Sequence, residues 1–231
     1  MKKILFAMAL AALVACTAAA QEEIPEVEIF GGYSLLKLGA ANNYFRPFQE
    51  GLYDGGGTWN AGDMSFFLSR GGVGSFAFNI DEHLSVVTDV RYNQGDIIKG
   101  SFEFVSPETD VLVSTPFVIG IKNISVLAGP RFSYRSLLNE RATVFAHALA
   151  GFDYWRLNGD FTVAGEKRSG NDNKFGPGVA VGCGVDFNVN ERFAVRAIQA
   201  DYYLTRQMGR FIDNVNLSFG IVFRIGEKVI R

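Results

Sequence analysis

Cysteine is nearly absent: Cys16 and Cys183 are the only two in 231 residues. With Cys16 inside an N-terminal targeting segment, a single thiol remains, so no internal disulfide can staple the domain. Cys183 has no histidine or acidic residue at a suggestive spacing and reads as a small residue on an apolar face. Histidine is equally scarce, with only His83 and His147. Excess charge is missing too. The chain carries 22 Lys+Arg against 24 Asp+Glu, a formal net charge of -2, which gives no electrostatic reason to expect a nucleic-acid partner. Nor is there an apolar run of the roughly 20 residues that a membrane-spanning helix requires.

What the chain does have is glycine and phenylalanine, 26 and 21 residues, within a composition that is 48% hydrophobic and 20% charged. That pairing suits strands that face lipid on one side and a narrow interior on the other. The first residues read as an export signal. Lys2 and Lys3 form a positive n-region, Ile4 to Val14 an apolar h-region, and Ala18-Ala19-Ala20 a small-residue cleavage site. A second reading stays open, because Leu13-Val14-Ala15-Cys16 looks like a lipobox that would make Cys16 a lipidated mature N-terminus.

Beyond residue 25 the recurring pattern is alternation, the period-2 signature of strands with two unlike faces. Over 175–189, Phe175, Pro177, Val179, Val181, Cys183, Val185, Phe187 and Val189 share one phase. Gly176, Gly178, Ala180, Gly182, Gly184, Asp186 and Asn188 hold the other. The last strand repeats this, with Val215, Leu217, Phe219, Ile221, Phe223 and Ile225 opposite Asn214, Asn216, Ser218, Gly220 and Arg224. Further strands are predicted over about 26–37, 66–79, 84–92, 124–135, 143–155 and 192–205. A parity slip in 192–205 predicts a β-bulge near Ile198. Pro130 sits within a predicted strand, where it forfeits a ladder hydrogen bond, and argues against that assignment.

The connections alternate in length. Asn79 to His83, Ser136 to Arg141 and Asn188 to Glu191 are short, whereas about 38–65, 93–123, 156–174 and 206–213 are longer or richer in turn residues. This asymmetry is expected of a membrane barrel with short periplasmic turns and long outer loops. Phe102 to Val105 and Val111 to Val113 are themselves β-prone, so the second long connection should extend as a hairpin. The expected architecture is an all-β, closed, antiparallel, up-and-down barrel of eight transmembrane strands. Residues 1–20 are the signal peptide, 21–25 a short N-terminal segment, 26–226 the barrel and 227–231 a C-terminal tail.

The polar phase places Glu28, Asp89, Arg91, Arg131, Arg135, Asp153, Asp186, Arg196, Asp201 and Arg224 in the interior. An eight-stranded barrel is filled by side chains, and unpaired buried charges cost several kcal/mol each. These groups are therefore expected to form one satisfied structural network. His147 shares the phase of Thr143, Gly151 and Asp153 and joins it. Tyr92, Tyr134, Tyr154, Trp155 and Tyr203 are candidates for an interfacial aromatic belt.

Several segments are similar to a known family. Glu28-Ile29-Phe30-Gly31-Gly32-Tyr33-Ser34 resembles the first strand of small bacterial outer-membrane barrels related to the transmembrane domain of outer membrane protein A. Gly129-Pro130-Arg131-Phe132-Ser133-Tyr134-Arg135, Phe145-Ala146-His147-Ala148 and Ser218-Phe219-Gly220-Ile221-Val222-Phe223-Arg224 are similar to its later strands. The resemblance spans roughly 26–226 and makes a Gly-Pro-Arg strand a tolerated feature. With only Glu227 to Arg231 after the last strand, no periplasmic peptidoglycan-binding domain is expected.

The resemblance implies outer-membrane lipid as surroundings and the barrel-insertion machinery as a partner in biogenesis, with Phe219 and Phe223 as recognition elements. It implies a structural or surface-interaction role, with the partner of the outer loops left unspecified. Two alternatives remain: a lipid A-modifying enzyme using His147, and a narrow porin-like channel. Against the enzyme, Ala148 and Leu149 follow His147, so no serine lies close by in sequence as a nucleophile, and His83 falls in a predicted periplasmic turn. No cofactor or metal is expected. Gly55-Gly56-Gly57 lacks the Gly-Lys-Ser/Thr of a phosphate loop, and Asn171-Asp172-Asn173 lacks the downstream glutamate of a calcium loop and reads as a turn.

Overall fold

A computed structural model describes residues 23–38, 58–61, 68–105, 112–138, 141–163, 166–207, 210–226 and 228–229. The proposed signal segment, the cleavage site, Cys16 and Gly55-Gly56-Gly57 lie outside them. The described residues form eleven strands: β1 (Glu23–Ile24), β2 (Val27–Leu38), β3 (Thr58–Ala61), β4 (Leu68–Asn79), β5 (Leu84–Val105), β6 (Leu112–Leu137), β7 (Ala142–Val163), β8 (Glu166–Asn188), β9 (Phe193–Gln207), β10 (Arg210–Ile225) and β11 (Lys228–Val229).

Eight of these make a closed antiparallel ring in the order β5-β4-β2-β10-β9-β8-β7-β6, and β6 pairs back onto β5. The alternating sequence explains why the ring stands. Each strand offers one phase to the outside and one to the inside, and closure leaves no edge whose amides would face hydrocarbon. The outward phase is apolar on every barrel strand, as shown by exposed Ile29, Phe76, Val90, Val126, Phe152, Val181, Val195 and Ile221. A water-soluble barrel would turn these residues inward, so the fold is inverted in the manner of a membrane barrel.

The three short turns fall at one end of the barrel with β1 and β11. Asp81 accepts hydrogen bonds from the backbone N–H of His83 and Leu84, closing the first turn at 2.8 and 2.7 Å. Asn190 plays the same part for Arg192 and Phe193 at 2.9 and 2.8 Å. These are side-chain-closed turns of the kind Asp and Asn favour. At this end β1 pairs with β11, Glu23 opposite Val229 and Ile24 opposite Lys228. The segments on either side of the barrel thus meet each other.

The far rim is uneven. β2, β4, β9 and β10 stop near the barrel mouth, whereas β5 and β6 stay paired to Val105 and Leu112, and β7 and β8 to Val163 and Glu166. β3 adds to the outer part of β5. The expected hairpin in the second long connection is present. The third, 156–174, is not a loop but continuous ladder, and Asn171-Asp172-Asn173 lies in strand rather than in a turn. The fourth is also shorter than expected, since β9 runs to Gln207 and β10 begins at Arg210, where the two residues pair. Strand registers simply propagate past the point where the hydrophobic alternation stops, because backbone pairing does not need an apolar face.

Both irregularities in the alternation have a structural counterpart. In β9, Ala197 and Ile198 lie between Arg196 and Gln199 where Phe219 alone lies between Gly220 and Ser218 on β10, a bulge that includes Ile198. Pro130 faces outward opposite Val86, and the β6–β7 ladder lapses at Gly129 and Pro130 before resuming in unchanged register at Arg131. The proline is accommodated without a slip. Ile221 lies near the middle of the apolar face of β10, where an unpaired ammonium would meet hydrocarbon. Ile221→Lys is expected to lower the folding free energy in lipid vesicles by about 2–4 kcal/mol, read by urea titration, whereas a lysine at exposed Asn171 in the outer hairpin should be neutral.

The interior polar network as candidate functional site

The inward phase places Glu28, Asp89, Arg91, Arg131, Arg135, Asp153, Asp186, Arg196, Asp201 and Arg224 inside the ring, and their contacts sort them into three groups. The first lies at the turn end. Glu28 of β2 receives Arg131 at 2.5 Å, Arg135 at 3.3 Å and Arg224 at 3.9 Å. Asn79 organises this group: its amide donates to the Pro25 carbonyl at 2.6 Å, and its oxygen accepts from Ser85 at 2.5 Å and Arg135 at 3.1 Å. Arg135 also donates to the backbone carbonyl of Glu82, which fastens the first turn to the network.

The second group fills the middle. Arg196 forms a two-point pair with Asp186, Nε to Oδ1 at 2.8 Å and Nη2 to Oδ2 at 3.0 Å. It hands on to Gln199 at 2.7 Å, and Gln199 to Asp201 at 3.0 Å. Asp201 is the hub, held by Arg91 at 2.9 Å and by His147 Nε2 at 2.7 Å, while Arg91 reaches Asp89 at 2.6 Å. Two-point guanidinium–carboxylate contacts fix orientation as well as charge.

Aromatic rings separate and steady these layers. The Arg196 guanidinium lies between two rings, 4.2 Å from the Phe30 centroid and 4.3 Å from that of Phe145. Arg131 lies 5.6 Å from the Phe145 centroid. Desolvated contacts of this type are worth about 2 kcal/mol. The rings fit because neighbours give way. A Cβ on Gly184 would strike the Phe145 ring, and a Cβ on Gly182 would strike the Asp201 carboxylate. Glycine at these two positions is a requirement of close approach.

Asp153 stands apart as the third group. Among the described residues no arginine lies within ion-pair distance of it; Asn123 and the Trp155 indole N–H donate to it, with Tyr203 alongside. An apolar cluster that includes Leu36, Leu38, Phe117, Ile121, Leu127, Leu149, Trp155 and Tyr203 also packs inside the ring, with Asn93, Thr115, Asn123 and Asn214 buried toward the outer rim beside it.

All eleven interior residues named from the sequence are placed on the inside of the ring, Arg135 and Arg224 nearest the opening. They do not form one connected network, and it is not fully satisfied: Arg91 Nη1 and the Nε atoms of Arg131 and Arg135 make no hydrogen bond to protein. Trp155 and Tyr203 are corrections. Both are interior rather than belt residues, because they share the phase of Asp153 and Asp201, while Tyr92 and Tyr154 do face outward. Asn79, Ser85, Phe30 and Phe145 were missed. For Ser85, Phe30 and Phe145 the signal is parity alone, since each sits an even number of residues from a charged interior position on its own strand, whereas Asn79 lies on β4, whose one charged residue, Arg70, is exposed. Cys183 faces outward, and His83 lies in the first turn, its ring 5.3 Å from that of Phe132.

The profile of the family described as outer membrane protein beta-barrel domain matches residues 6–224. No curated protein matches the chain. Among solved structures, the Yersinia pestis attachment invasion locus protein Ail, crystallised with the heparin analogue sucrose octasulfate, is 17% identical. That match covers 87% of this chain and 99% of Ail, with a TM-score of 0.47. Neisserial surface protein A is 12% identical over 87% of this chain and 97% of its own, with a TM-score of 0.44. OprG of Pseudomonas aeruginosa is 10% identical over 91% and 99%, also with a TM-score of 0.44.

Removing the hub should be costly. Asp201→Ala strands Arg91 without its second carboxylate and frees His147 and Gln199, so we expect a loss of about 3–5 kcal/mol. Asp213→Ala, at an exposed position, should change stability by no more than about 0.5 kcal/mol. Guanidinium unfolding of the micelle-bound protein compares the two.

Proposed function

Because the chain belongs to the outer membrane protein beta-barrel domain family, we propose that it acts as a closed structural barrel whose outward sheet is the part that meets other molecules. The outer membrane is its site and the surrounding lipid its medium. The observation that carries the closed reading is the occupied interior. Ion-paired and hydrogen-bonded clusters and a buried apolar cluster share the interior, drawing their residues from all around the ring. A wide aqueous path would have to break the Asp186–Arg196 and Arg91–Asp201 pairs together.

The eleven interior residues are assigned a structural role: they set the barrel's cross-section and tie strands distant in sequence. His147 takes part through Asp201. It lies inside the ring, its side chain only 2% exposed, away from the surface that an acyl chain contacts, which favours the structural reading over lipid A chemistry. The outer parts of β5, β6, β7 and β8 supply the exposed polar surface for a surface partner.

For biogenesis we propose removal of residues 1–20 on export, leaving 21–25 as a short lead into the barrel of 26–226, followed by insertion by the general barrel machinery reading the outward Phe219 and Phe223. Lipidation at Cys16 is the competing maturation, and the mass of the mature N-terminus separates the two. In planar bilayers the purified protein should show no large, stable openings; such openings would defeat the closed reading. His147→Ala should fold with reduced stability and leave the lipid A profile of the host cell unchanged. A folded variant with an altered profile would restore the enzyme alternative.

A further inference from the structure

The outward apolar phase ends along a single row of strand partners. Tyr92, Ile124, Tyr154 and Phe175 lie side by side across β5, β6, β7 and β8, all exposed, with Tyr92 opposite Ile124, Ile124 opposite Tyr154 and Tyr154 opposite Phe175. Two residues further out, every strand changes character at once. Gln94 stands opposite Lys122, Lys122 opposite Arg156 and Arg156 opposite Asn173, and all four are exposed. The next outward row is Asp96, Gly120, Asn158 and Asn171. An apolar-to-polar change shared by four neighbouring strands, edged by tyrosines, is the mark of the outer interface of a membrane barrel.

Within that row two cations face each other directly. Side chains on opposed residues of an antiparallel pair stand about 5 Å apart, and like charges there are destabilising. Among the described residues no carboxylate pairs with Lys122 or Arg156. Arg156 donates its Nε–H to Asn158 at 3.2 Å, and the nearest acidic side chain in the adjoining outward row, Asp96, is taken by Lys99 at 3.0 Å. The guanidinium retains its other donors, and the ammonium has three. An anion at this level would cancel the repulsion and be held by both.

We infer that Lys122 and Arg156 clamp the phosphate of an outer-leaflet glycolipid, with Gln94 and Asn173 flanking it as hydrogen-bonding neighbours. A lipid headgroup is the fitting source, because the row beneath offers its acyl chains Ile124, Tyr154 and Phe175. A free phosphate has no use for that surface. The inference rests on the membrane reading given above and adds a specific contact to it.

The test uses the full chain refolded into phosphatidylcholine vesicles that contain a bis-phosphorylated disaccharide glycolipid. Native mass spectrometry after detergent exchange should find that glycolipid retained on the wild type, and about thirtyfold less retention on Lys122→Gln/Arg156→Gln. Lys167→Gln, which alters an exposed cation farther out on the hairpin, opposite Thr162, should behave as wild type. Parallel samples with the dephosphorylated glycolipid, and with inorganic phosphate in place of any glycolipid, should show no retention. Equal retention by wild type and double variant, or of phosphorylated and dephosphorylated glycolipid, overturns the clamp. So does binding of inorganic phosphate that matches the glycolipid. A wild-type chain that fails to insert into either kind of vesicle overturns the membrane reading instead, and heat-modifiable migration on a gel distinguishes that failure.

Discussion

The pairing of β6 with β5 is the contact on which the rest of the molecule depends. In hydrocarbon an open sheet edge leaves a row of N–H and C=O groups with no partner, each at a cost of several kcal/mol. Closure removes the edges, and it also fixes the circumference. Once eight strands are joined, the interior has room for side chains and little else. Every inward position must then satisfy its neighbours across the axis, which is why glycine, phenylalanine and arginine alternate in size around the same levels.

That constraint explains how charge is tolerated inside. Burying an isolated guanidinium is prohibitive, so each interior arginine is held to a carboxylate on another strand or ringed by aromatic faces. Glu28 on β2 draws in arginines from β6 and β10, and Asp201 on β9 draws in Arg91 from β5 and His147 from β7. The links from Arg131 to Glu28 and from Arg91 to Asp201 join strands that are not neighbours in the ring, whereas Arg224 stands opposite Glu28 on the adjoining strand. The ring of backbone hydrogen bonds is cross-braced by its contents.

Much of the architecture was legible in the chain. The phases of 175–189 and 214–225 carry over residue by residue to outside and inside, and the bulge at Ile198 followed from a parity slip. Two things were not legible. Where the ladder ends cannot be read from hydrophobicity, because beyond the lipid both faces of β7 and β8 are wet and alternation carries no information. How the interior groups connect was hidden as well, since parity shows that Asp153 points inward but not that Asn123 and Trp155 are its hydrogen-bond donors. Trp155 and Tyr203 illustrate the same limit: composition suggested a belt, and phase alone placed them inside.

The uneven rim has a mechanical meaning. Past the row that holds Lys122 and Arg156, β5 continues for residues 95–105 and β7 for 157–163. At about 3.3 Å per residue these are contour lengths of roughly 36 and 23 Å. The strands are bonded edge to edge, so this length behaves as a stiff mast stepped into the barrel, not as a tether. Whatever the tip touches is met at a set stand-off from the bilayer and in a set azimuth. A sideways load there is borne by the same covalent strands that enclose the ionic interior.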